Sequence, residues 1–192
     1  MIKKTIFAVL GIIILLMYSC VGWTQEEDSL EVIAEGQYFT IYGYPGMDIN
    51  GLLTKLNYNY FLQLDTLLDG QSQDLRSILA RTADALYSEA SDILGIHVYS
   101  FHGNLKFYPD QAALNDVFKS YFHEDFPQCA FYLHERATLY ISVPDVTLGM
   151  LSHEIAHAII SHYFVIPPPA RVQEILCGYI EYSLRKSTGT LP

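Results

Sequence analysis

Basic residues are scarce. Eleven Lys and Arg stand against twenty-one Asp and Glu in 192 residues, giving a formal net charge of −10. That balance argues against a nucleic-acid-binding surface, which needs a cationic face. No low-complexity segment and no internal repeat is visible. No apolar run is long enough for a comfortable membrane span, which takes about 18 residues or more. Cysteine is limited to three, Cys20, Cys129 and Cys177. Only the last two lie in the body of the chain, where an oxidising compartment would permit one disulfide and a free buried Cys177 is equally ordinary. What is plentiful is aromatic: 15 Tyr and 10 Phe, enough for the core of one ordinary domain.

The N-terminus reads as an export signal. Lys3 and Lys4 precede an apolar run from Ile6 to Met17, followed by polar Thr24 to Asp28. Length and flanks fit a signal-peptide core. Met17-Tyr18-Ser19-Cys20 is an imperfect lipobox. Residues 1–23 are therefore a signal peptide or a membrane or lipid anchor, with three outcomes open: a lipid on Cys20, cleavage near Gly22, or an uncleaved anchor. Any membrane contact would run through this segment. Residues 24–35 are acidic and read as a tether, and 36–192 as a single domain.

Along that domain, Gln37–Tyr44 reads as a strand ending at Pro45-Gly46. A helix capped by Asp48 or Asn50 is expected to run to about Leu68, with a break at 69–72. Asp74–Leu94 carries apolar residues at helical spacing and is closed by Gly95. Strand character returns over Leu105–Tyr108, and Gln111–Phe122 reads as a short helix. Cys129–His134 and Ala137–Val143 form an expected hairpin, with Asp145 as candidate cap of the next helix. The order implies an α+β fold, a small sheet packed beside the helix that follows the hairpin.

That helix, Thr147–Phe164, carries His153-Glu154-Ile155-Ala156-His157, an HExxH pattern. Four residues apart on a helix, His153 and His157 lie one above the other on one face and can hold one Zn²⁺. Glu154 is placed to take a proton from a metal-activated water. The neighbouring residues are apolar nearly all round, as in a buried helix, where two imidazoles and a carboxylate are costly unless paired or metal-bound.

A third ligand is needed. Pro167-Pro168-Pro169 turns the chain into a last helix, about Ala170 to Lys186. Glu174 lies roughly 7–8 Å into it and His157 roughly 10–12 Å before the turn, at 1.5 Å per residue. Glu181, seven residues on, shares that face, and geometry alone leaves both open. His162 is set aside because the metzincin pattern is not met: Ile160 stands at its glycine and Tyr163 at its third histidine. His97, His102, His123 and His134 read as ordinary surface or loop histidines.

Pro168–Tyr182, PPARVQEILCGYIEY, resembles the downstream motif of gluzincin zinc metallopeptidases of the peptidase-MA-like kind. There HExxH is followed by a proline-led helix with Glu, a small residue three positions later and an aromatic two beyond; Glu174, Cys177 and Tyr179 match. The element order is also similar, over roughly 37–187. Ile175 and Arg171 depart from the usual Gly and aromatic and bear on substrate fit and close packing. The resemblance implies a zincin-like fold and Glu174 as the third zinc ligand, with Glu181 behind the site or on the surface. With the N-terminal signal it points to an exported peptidase that acts on a peptide or protein, and the strand at Ala137–Val143 is a candidate for pairing with it. Tyr163, Tyr179 and Tyr182 are candidate oxyanion donors, none singled out. Few residues follow the last helix, which for this family implies a minimal peptidase or one completed by a partner. The alternative is a non-catalytic exported binding or envelope-assembly protein on the same scaffold, keeping zinc for stability.

Overall fold

The computed structural model describes residues 29–64, 74–125 and 127–191. The expected N-terminal export signal, Cys20 and the break at 69–72 lie outside the described residues.

Alternating apolar residues build one mixed sheet with the order β1-β2-β3-β5-β4. Its strands are β1 (Glu31–Glu35), β2 (Phe39–Gly43), β3 (Gly103–Tyr108), β4 (Ala130–Leu133) and β5 (Thr138–Ser142). β2, β3 and β5 run parallel, and β1 and β4 close the two edges antiparallel. β5 is buried at every position, because strands flank it on both sides and layers cover both faces.

Six α-helices are described: α1 (Ile49–Lys55), α2 (Tyr58–Leu64), α3 (Leu75–Leu94), α4 (Gln111–Phe122), α5 (Leu148–Tyr163) and α6 (Ala170–Ser187). The side chains of one sheet face, including Phe39, Ile41, Leu105, Phe107, Leu139 and Ile141, join α1, α2, α3, α5 and α6 in the main core. On the other face, Tyr108, Phe131 and Tyr140 pack with Leu114 and Val117 of α4. The domain is of the α+β class that the element order implies, and its helices cover both faces of the sheet. Among the described residues no helix is long and apolar enough to cross a membrane.

Several expectations hold at residue level. Asp74 accepts from the Ser77 N–H at the start of α3, and Gly95 closes that helix in the left-handed region at φ 65°. Gln111–Phe122 is helical, and β4 and β5 form the hairpin.

Others are corrected. Glu31–Glu35 is no tether: it pairs with β2 at the sheet edge, where the exposed Glu31 and Glu35 flank the inward Ile33. One buried position in five residues carries little sequence signal. The first helix is broken at Asn57, whose φ of 51° is the left-handed conformation that Asn tolerates. It is α1 and α2 instead, capped by Asp48, and positions 65–68 lie outside the described residues. Asp145 does not cap α5. Thr147 does, its hydroxyl accepting from the Met150 N–H at 3.1 Å, while Asp145 accepts from the Ser142 hydroxyl at 2.8 Å. Finally, the strand at Ala137–Val143 is β5, paired on both sides and closed to strand addition; the free edge on that side of the sheet is β4.

Candidate metal centre

α5 reaches its place because nearly all of it is apolar. Leu151, Ile155, Ala156, Ala158, Ile159 and Ile160 are fully buried against the sheet, α3 and α6. The 3.6-residue period then leaves His153 and His157 on the side facing α6, their rings 5.1 Å apart between centroids. The proline turn folds α6 back along α5, and Cys177, Ile180 and Leu184 seal the contact. Gly149 allows the close approach: a Cβ there would meet Glu181 and Arg185 side-chain atoms at 2.9–3.1 Å.

The two candidate glutamates on α6 meet different atoms. Glu174 spans both histidines, with Oε2 3.3 Å from His153 Nε2 and Oε1 3.4 Å from His157 Nε2. Glu181 lies 3.7 Å from the other ring nitrogen, His153 Nδ1, and 3.4 Å from Arg185. Glu174 thus faces the nitrogens that converge, and Glu181 stands behind His153, in the position from which an outer carboxylate orients a ligating imidazole. Ile175, the departure from the usual Gly, points to solvent at 63 % exposure and does not disturb the α5–α6 contact.

Glu154 is 9 % exposed. Burial first, and then the nearby Glu174 carboxylate, raise its pKa to about 7; a hydrogen bond from the Tyr132 backbone N–H works the other way. A carboxyl poised near neutrality in a cleft suits general acid–base work. Burial, with the neighbouring His153, holds the His157 pKa below its ordinary value, so the ring is kept neutral and able to ligate.

These groups open on a cleft of about 420 Å³ whose lining includes Ala130, Phe131, Tyr132 and His134 from the hairpin. Tyr163, Tyr179 and Tyr182 are all about half exposed and none lines this cleft. His134 does line it, 4.8 Å between ring centroids from His162, which itself bonds the Tyr132 hydroxyl at 3.1 Å. Sequence reasoning set both histidines aside, and no local spacing links residues 134 and 162. The other histidines are engaged elsewhere: His102 with Thr40 and the Gln37 carbonyl, His97 near Asp92 at 3.8 Å, His123 at the end of α4. Cys129 and Cys177 are both free.

The donor set fits a divalent metal of zinc's preference: two imidazole nitrogens and a carboxylate from facing helices, with a protected carboxylate beside them. No family model, no curated protein and no solved structure matches the chain.

Proposed function

We propose that this protein is an exported zinc metallopeptidase of the gluzincin kind, built on a zincin-like domain. The observation that carries the reading is the convergence of His153 Nε2 and His157 Nε2 on one carboxylate, Glu174, at 3.3 and 3.4 Å. His153, His157 and Glu174 would hold the metal. Zinc, when bound, supplies a lowered pKa for water and a polarised scissile carbonyl.

The rest falls to the chain's own side chains. Glu154 takes the proton from the attacking water and passes it to the departing amine. β4 offers its outward backbone groups other than the Tyr132 N–H, which bonds Glu154, along the cleft, so an extended peptide would lie there as an added strand. His134 is one side-chain donor on the cleft wall, beside Gln128 and Gln173, that would meet the developing oxyanion.

A second reading is a non-catalytic exported protein that keeps the metal for stability. The nearness of Cys177 to both imidazoles favours it, since four protein donors make a closed structural site. The buried Glu154 has no role in such a site. Zinc content together with hydrolysis of a mixed peptide pool separates the two. The first reading predicts cleavage by the zinc-loaded protein and none by Glu154→Gln; the second predicts zinc without cleavage in either.

A further inference from the structure

Cys177 has no exposed surface. It follows Glu174 by three residues on α6, so both side chains project from one face of the helix toward α5. Its Sγ and one ring nitrogen each of His153 and His157 all lie within 4.8 Å of one another. Glu174, with its side chain 60 % exposed, meets the same imidazoles from the solvent side. The two histidines therefore stand between an exposed carboxylate and a buried sulfur.

A residue chosen only to let two helices pack closely would be served by Ala or Gly. A sulfur aimed at two ligating imidazoles is a soft donor of the kind zinc and cobalt accept readily. We propose that Cys177 is a metal ligand, the fourth protein donor beside His153, His157 and Glu174. The proposal rests on the metal-centre reading given above. On binding, the sulfur–metal bond forms, the thiol proton leaves to solvent, and no oxidation state changes. Four protein donors fill a tetrahedral shell and leave no position for water. The sulfur-bound form is thus a resting state, and the zinc-loaded protein hydrolyses peptides only through the fraction in which water has replaced the sulfur.

The test uses the reduced full chain loaded with Co²⁺, which reports a bound thiolate by a sulfur-to-metal charge-transfer band in the near ultraviolet. The wild type is expected to take up one cobalt and show the band. Cys177→Ser and Cys177→Ala are expected to take up one cobalt and lose the band, and Cys129→Ser to keep it. One bound cobalt without the band, or with the band retained in both Cys177 variants, overturns the proposal and leaves the His₂Glu centre standing. No bound cobalt overturns the proposal and the metal centre together.

Discussion

Glu154, on the helix, accepts a hydrogen bond from the backbone N–H of Tyr132, on the edge strand. Ser142 N–H bonds the Cys129 carbonyl, so odd-numbered residues of β4 face β5 and Tyr132 faces outward. One outward slot of the edge is thereby given to the carboxyl proposed as general base. The strand that would hold a peptide and the group that would act on it are held in register by this bond.

Replacing Glu154 by Gln keeps the shape and an oxygen for the Tyr132 N–H. The variant is expected to retain bound zinc and its fold while hydrolysis falls by roughly 10²–10⁴-fold, the range for a lost general base. Parallel zinc content, circular dichroism and peptide turnover check it.

The two glutamates of α6 should separate in metal affinity. Glu174→Ala removes the oxygens 3.3 and 3.4 Å from the two Nε2 atoms and is expected to weaken zinc binding strongly. Glu181→Ala removes only the carboxylate behind His153 and should cost less, roughly 10–100-fold. Competition with a chelator of known affinity measures both, and the reverse order would contradict the ligand assignment.

In the metal-free protein the contribution of Glu154 to stability should fall as pH rises. Glu154 is raised in the fold from 4.5 to about 7, so the folded state holds a proton that the unfolded chain has released in that window. The contribution is fully present below about pH 4.5 and is lost as pH climbs through 7. Chelator-treated Glu154→Gln, which cannot ionise, should therefore be more stable than wild type at pH 8, by an amount on the order of a few kcal/mol. The gap should close toward pH 4.5, as followed by urea unfolding across that range.

The cap of α5 gives a stability test away from the metal. Thr147→Ala should cost ~1 kcal/mol by removing the acceptor for the Met150 N–H. Asp145→Ala loses the hydrogen bonds from the Ser142 hydroxyl and the Cys129 thiol and leaves the helix start intact. No loss of stability in Thr147→Ala would speak against this assignment.

The scaffold was legible where one residue type has one strong local use. Asp74 and Gly95 bracket α3 as written, and the HExxH pair falls on one side of α5 because a four-residue step does so on any helix. β1 was not legible, since an edge strand with one buried residue resembles a polar linker, nor was the turn at Asn57. The choice between β4 and β5 as the sheet edge depends on strand order, which no local pattern encodes. The same holds for Cys177 beneath the imidazoles and His134 across the cleft: each is brought in by the packing of separate elements.

The most direct test of the metal centre is zinc stoichiometry by elemental analysis on the purified protein, beside His153→Ala and Glu174→Ala. The account predicts one zinc per chain in the wild type and its loss or marked weakening in both variants. No zinc after supply of the metal at neutral pH, or zinc held equally by all three proteins, would contradict it.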